Sequence, residues 1–174
     1  MKFFKLAEVF DKLEKTSSNL AMIDILAGFF SEISPEEAKI SAYLLRGEVS
    51  PPYEGLETGL AAKMAIRAVS RAENTDIEKI NSLFKKTGDL GSVVVLLREM
   101  SHFKKSPSAR LRASAGLTIK EVFQKLVEIA KTSGQGSQDK KINMLVDLLS
   151  KTSGKEAKYI IRTLLGTLRL GVGE

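Results

Sequence analysis

Thr118-Ile-Lys-Glu-Val-Phe-Gln-Lys-Leu126 is the stretch that decides the fold. A threonine followed three residues later by glutamate is a capping box, in which each side chain accepts from a backbone amide that the first helical turn leaves open. The apolar positions behind it, Val122-Phe-Gln-Lys-Leu126, repeat Val9-Phe-Asp-Lys-Leu13 near the start of the chain, where Phe3, Leu6, Phe10 and Leu13 fall on one helical face. The same start chemistry recurs at Ser34-Pro-Glu-Glu37, Thr75-Asp-Ile-Glu78 and Ser153-Gly-Lys-Glu156, and Gly47, Gly88, Gly134 and Gly166 stand where helices should stop. Leu20, Ile23, Leu26, Ala27 and Phe30 share a face of a second helix, and no alternating segment of useful length appears. The pattern predicts an all-α fold of about nine or more helices.

The repeat extends beyond one helix. Lys15-Thr-Ser17 matches Lys131-Thr-Ser133, Ile23-Asp-Ile-Leu26 matches Ile142-Asn-Met-Leu145, and Glu37-Ala-Lys39 matches Glu156-Ala-Lys158. The offset grows from 113 to 116 to 119 along this order. Two pseudo-symmetric halves are therefore expected, 1–101 and 117–174, with a short insertion at Gly134-Gln-Gly136 in the second. Residues 102–116 join them as an acid-free basic loop carrying Lys104, Lys105, Arg110 and Arg112, either a linker or a phosphate-contacting element.

Charge is distributed unevenly between these parts. Residues 1–87 hold 12 Lys and Arg against 13 Asp and Glu, whereas 88–174 hold 15 against 8, so the net +6 and the pI near 9.5 belong to the second half. Such an asymmetry suggests a basic face and a polyanionic partner. With 174 residues, 43% of them hydrophobic, the chain can bury one sizeable core as a soluble monomer. No apolar run approaches the ~20 residues that cross a bilayer. The acids at Glu8, Asp11 and Glu14 break any signal-peptide core, so the start reads as that of a cytoplasmic protein with no membrane partner.

Catalytic chemistry is thinly represented. There is no cysteine, and His102 is the only histidine, which removes thiolate catalysis and multi-histidine metal sites. Gly154-Lys155 is followed by Glu, so no Walker loop is present; Lys86-Thr-Gly88 lacks the partner motifs of penicillin-binding enzymes. The pattern with the most chemical content is Gly134-Gln-Gly-Ser-Gln-Asp-Lys-Lys141. A glycine turn running into a serine-capped, lysine-rich helix start presents amides and positive charge together, as a phosphate requires. Gly134, Gly136, Ser137, Gln138, Lys140 and Lys141 are its members. Lys155, Lys158 and Arg162 share a face of the last helix and extend the track.

As an ordered set, these residues resemble the N-terminal DNA-binding domain of archaeal and eukaryotic replicative ATP-dependent DNA ligases, the archaeal branch more closely. The likeness covers essentially the whole chain. It is carried by Leu13-Glu-Lys-Thr-Ser-Ser18, Tyr43-Leu-Leu-Arg-Gly47, Pro51-Pro-Tyr-Glu-Gly55, Lys86-Thr-Gly-Asp-Leu-Gly91, the Gly134 turn with Lys140-Lys141, Glu156-Ala-Lys-Tyr-Ile-Ile-Arg162 and Leu168-Arg-Leu-Gly171.

The resemblance implies a domain, residues 1–174, that grips nicked or intact duplex DNA through backbone and minor groove and positions it for ligation in replication, repair and recombination. It implies DNA contacts at Thr16, Ser17 and Ser18, at the Gly134–Lys141 turn, and at Arg162 and Arg169. Asn19 stands where relatives often carry arginine, which places the first contact in question. In the family, a nucleotidyltransferase domain with a Lys-x-Asp-Gly motif takes AMP from ATP with Mg²⁺, and an OB-fold domain completes the clamp. No Lys-x-Asp-Gly occurs in this chain. The expectation is thus a fragment with no cofactor of its own, unable to ligate alone, whose partners are DNA, catalytic domains of the same polypeptide and, as a further candidate, a sliding clamp. Its expected setting is archaeal and nucleoid-associated. Two readings from other classes compete, a helical protein-interaction scaffold and an RNA-binding module.

Overall fold

The computed structural model describes residues 1–51, 56, 58–102 and 116–171. Among these residues the fold is all-α. Nine helices run in the order α1 Phe3–Glu14, α2 Asn19–Ser31, α3 Pro35–Leu45, α4 Ala62–Glu73, α5 Ile77–Thr87, α6 Leu90–His102, α7 Ile119–Lys131, α8 Ser137–Ser150 and α9 Gly154–Leu164. His102 is the last residue of α6 rather than the first of a loop. Lys104, Lys105, Arg110 and Arg112 lie outside the described residues.

Local chemistry sets most helix ends. Ser34, Thr118 and Ser153 each close a full capping box with Glu37, Glu121 and Glu156. The box expected at Thr75 does not form. Asn74 ends α4 in the left-handed conformation at φ 47°, and Thr75 is drawn back onto α4, its amide donating to the Ser70 carbonyl at 3.0 Å. Asp76 takes the cap position instead, without a side-chain hydrogen bond.

Packing then fixes the arrangement. α6 lies along α9, α4 lies along α8, α1 touches α2, α7 and α9, and α3 packs on α7. The starts of α1 and α7 are joined by an isolated antiparallel bridge: the Phe3 amide donates to the Leu117 carbonyl at 2.8 Å and the Ile119 amide to the Met1 carbonyl at 3.1 Å. α6 and α9 approach closely at Gly91, where a Cβ would lie 2.6 Å from the Lys158 carbonyl oxygen. Leu6, Phe10, Leu126, Ile129, Ile142, Leu145, Tyr159 and Ile160 form the centre of the core. Each buried side chain of that size contributes about 1.5–3 kcal/mol. Arg98, nine-tenths buried, ties three helices: it pairs with Glu73 at 2.7 Å and donates to the Leu149 and Thr152 carbonyls at the end of α8.

α2 departs from its expected orientation. Leu20 and Ile23 are exposed, at 76% and 59%, and Phe29 is its one buried side chain. The helix is apolar almost all round, so periodicity selects no face, and its main neighbour is α1 alone.

Candidate nucleic-acid interface

The corner between α7 and α8 is open to solvent. α7 ends at Lys131 with Thr132 in an extended conformation, so Gly134 is part of the turn rather than the residue that stops the helix. Gly134 and Gly136 both take positive φ, 88° and 74°, a region glycine enters without strain. Gly136, not Ser137, is the N-cap of α8, and no side chain caps the helix. The Ser137 amide reaches the Gly134 carbonyl and the Lys140 amide the Gly136 carbonyl, which leaves the Gln138 and Asp139 amides without a partner among the described residues. The positive end of the helix dipole and these amides point outward together. Lys140 stands beside them, exposed and with no ion pair among the described residues. Lys141 turns the other way. Its side chain is buried, and Nζ donates to the Thr58 carbonyl at 2.7 Å, fixing the segment that leads into α4.

The cations of α9 are committed to a network with α1 and α6. Arg162 donates from Nη1 to Glu14 at 2.9 Å and from Nε and Nη2 to one Asp89 oxygen at 3.0 and 2.8 Å. Lys158 and the Tyr159 hydroxyl both donate to Glu14, at 2.7 and 2.8 Å, and Lys155 faces Asp11 at 3.8 Å. Asp89 also accepts from the Ser92 amide and hydroxyl at the start of α6. Burial pushes the pKa of Glu14 and Asp89 up, but the hydrogen bonds from Lys158, Arg162 and Ser92 outweigh it and hold both carboxyls below their ordinary values. Burial and the Glu14 carboxylate push the Tyr159 phenol well above its ordinary value. The α9 cations of the predicted phosphate track are thus paired within the protein.

The corner between α1 and α2 is closed. The Thr16 hydroxyl donates back to the Lys12 carbonyl at 2.7 Å, and Ser18 caps α2 by accepting from the Ala21 amide at 3.4 Å. Ser17 and Ser18 are exposed, and Leu20, Ala21 and Met22 follow in place of lysines. The segment after α9 runs toward this corner: Leu168 lies against Gly47, and a Cβ at Gly171 would touch Met22 at 3.4 Å. Arg169, between these contacts, is exposed and has no ion pair among the described residues.

A basic element that the sequence reading missed lies beside the open corner. Lys63, Arg67 and Arg71 on α4 are all exposed and spaced four apart. Arg67 meets Asp139 at 3.3 Å and Arg71 meets Asn143 at 3.0 Å. The spacing i, i+4, i+8 was visible in the sequence.

Among the described residues, a surface depression of about 830 Å³ between 47–51, 56, 58–61 and 163–166 has Glu48 as its one charged lining residue. Among the described residues no group of three or more His, Asp or Glu is placed to hold a metal. No helix among them is long and apolar enough to cross a membrane.

The fold and surface together define an all-α domain with one corner where open helix-start amides meet an unpaired lysine, and with the cations of α9 paired to acids of α1 and the start of α6. The chain belongs to the DNA ligase N-terminal family, whose model, DNA ligase N terminus, matches residues 2–174. It is 40% identical to DNA ligase 2 of Thermofilum pendens, over 97% of this chain and 28% of that protein. It is 37% identical to DNA ligase of Pyrobaculum islandicum, over all of this chain and 30% of the relative, and 39% identical to DNA ligase 1 of Methanosarcina mazei, over all of it and 28% of the relative. The chain thus spans less than a third of the length of these curated relatives.

Proposed function

We propose that this chain holds duplex DNA, nicked or intact, by its backbone and without reading sequence, and positions it for the catalytic domains of an ATP-dependent DNA ligase. The observation that carries the proposal is the open α7–α8 corner: two left-handed glycines, unpartnered Gln138 and Asp139 amides and the free Lys140, in a member of the DNA ligase N-terminal family. Backbone amides at a helix start donate to phosphate oxygens whatever the base. Ser137 and Gln138 supply further donors there, and Ser17, Ser18 and Arg169 form a second, weaker contact at the α1–α2 corner. Lys141, Lys158 and Arg162 act indirectly, by holding the loop before α4 and the α1–α6–α9 junction in place. ATP and Mg²⁺ belong to the catalytic part of the longer protein in this reading.

The scaffold reading has one observation in its favour, the exposed Leu20 and Ile23 on α2. The RNA reading loses its stacking residue, because Tyr159 is fully buried and its hydroxyl is held by Glu14.

A mobility-shift series with nicked duplex, intact duplex and RNA duplex separates the three. Duplex DNA binding that weakens with salt, and that Lys140→Ala reduces about equally on unrelated sequences, is expected. Absence of duplex binding at moderate salt, or a loss confined to one sequence, overturns the proposal.

A further inference from the structure

The exposed face of α4 is a second charged surface next to the open corner, and its register against α8 can be read from two contacts. Arg67 meets Asp139 and Arg71 meets Asn143, each pair 72 residues apart in sequence and one helical turn from the other. Two contacts at the same offset mean that α4 and α8 run parallel. One turn before Arg67, the same direction carries Lys63 toward the glycine turn that precedes α8. Lys141 brings the two helix starts together, because its ammonium reaches from the first turns of α8 to Thr58, just ahead of α4. The glycine turn, Lys140 and the α4 stripe are therefore parts of one continuous surface.

We infer that Lys63, Arg67 and Arg71 form a cationic rail that contacts successive phosphates of duplex DNA beside the α7–α8 corner. This rests on the duplex-binding function proposed above, and extends it to residues on an element outside the recognised motifs. The rail is about 12 Å long, from 1.5 Å per residue along a helix. A duplex presents one phosphate charge per about 1.7 Å of its axis, so several phosphates face a rail of that length.

Its charge is available. Lys63 has no ion pair among the described residues, and the partner of Arg71 is the neutral amide of Asn143. The Arg67–Asp139 pair is solvent-exposed on both sides, at 44% and 68%, and pairs of that kind contribute about 0–1 kcal/mol, little enough for a phosphate to displace. The contrast with α9 is direct, since Arg162 is held by two carboxylates and largely buried. Apolar residues Met64, Ala65, Ala68 and Val69 anchor the opposite face of α4 in the core, so the rail stands on a fixed element.

The test compares the dependence of duplex affinity on salt for the wild-type chain, Lys140→Ala, the triple Lys63→Ala/Arg67→Ala/Arg71→Ala, and Lys63→Ala alone, which removes no side-chain hydrogen bond or ion pair among the described residues. Each phosphate contact contributes about 0.9 to the slope of log affinity against log salt. The triple variant should lower the slope by about 2–3 and cut affinity about tenfold or more at 0.1 M salt, and Lys63→Ala should lower the slope by about 1. A wild type that binds and responds to Lys140→Ala, with both rail variants unchanged in slope, overturns the rail and leaves the proposed function standing. A wild type that binds no duplex overturns both. If the triple variant loses its helical circular-dichroism spectrum, the slope of Lys63→Ala decides.

Discussion

The α1–α2 corner and the α7–α8 corner each join a helix ending in Lys-Thr-Ser to the helix that follows, and they present opposite surfaces. At the first, the Thr16 hydroxyl turns back onto α1, Ser18 caps α2, and the cations of the adjacent α9 are paired with Asp11, Glu14 and Asp89. At the second, glycines replace the capping serine, two amides remain open, and Lys140 with the α4 stripe stays unburied. The difference lies in available charge rather than in total charge. α9 carries three cations on one face and offers almost none of them to a ligand, because acids distant in sequence fold against it. α4, in the half of the chain with no net positive charge, offers three.

Arg162→Ala should produce the largest effect and would test that division most severely. It removes the cation from Asp89, leaving only Ser92 as its donor, takes one of three donors from Glu14, and should destabilise the fold by about 2–4 kcal/mol. For a chain of this size that lowers the melting temperature by roughly 5–15 °C. Lys140→Ala, at an exposed position, should shift stability by no more than about 0.5 kcal/mol. Binding by the folded proteins at low temperature should rank in the reverse order. If Arg162→Ala leaves the melt unchanged and abolishes binding, α9 is a contact surface after all.

Acid probes the same network with all side chains in place. Glu14 and Asp89 titrate below their ordinary values in the folded state, so the stability they contribute is fully present above those values. It is lost as pH falls through the lower folded values, below about pH 4. Melting temperature followed from pH 7 to pH 3 should hold steady and then fall, by less than Arg162→Ala causes, because protonation removes charge and keeps the packing. In Arg162→Ala the acid limb should flatten. An equally steep limb in that variant would assign acid sensitivity to other carboxylates.

What could be read from the sequence follows from the range of the forces involved. The capping boxes at Ser34, Thr118 and Ser153 were legible because the whole device lies within four residues. The glycine turn was legible for the same reason, although the cap fell to Gly136 rather than Ser137. The fate of Arg162 was not, because its partners lie 73 and 148 residues away in the chain. Lys141 was misread beside Lys140 because one step along a helix rotates a side chain by about 100°, enough to carry it from solvent to core. α2 misled through its even apolar coating, and the α4 stripe was hidden by the near-neutral balance of the half that contains it.

Ser18→Ala has the smallest expected effect and bears most directly on why the corners differ. The cap it removes is long, 3.4 Å, and exposed, so its loss should cost about 0.5 kcal/mol and lower the melting temperature by about 1–2 °C. The variant also frees the Ala21 amide and makes the first corner resemble the second in geometry. If open amides sufficed for phosphate binding, duplex affinity would rise. It should stay within about twofold of wild type, since Leu20, Ala21 and Met22 follow the α2 cap where Lys140 follows the α8 cap, and an uncapped turn with no cation in the helix's own first turn holds a phosphate only weakly. A clear gain in affinity for Ser18→Ala would shift the explanation of the open corner from lysine to backbone. The charge added by Asn19→Lys on the same background would then strengthen binding no further.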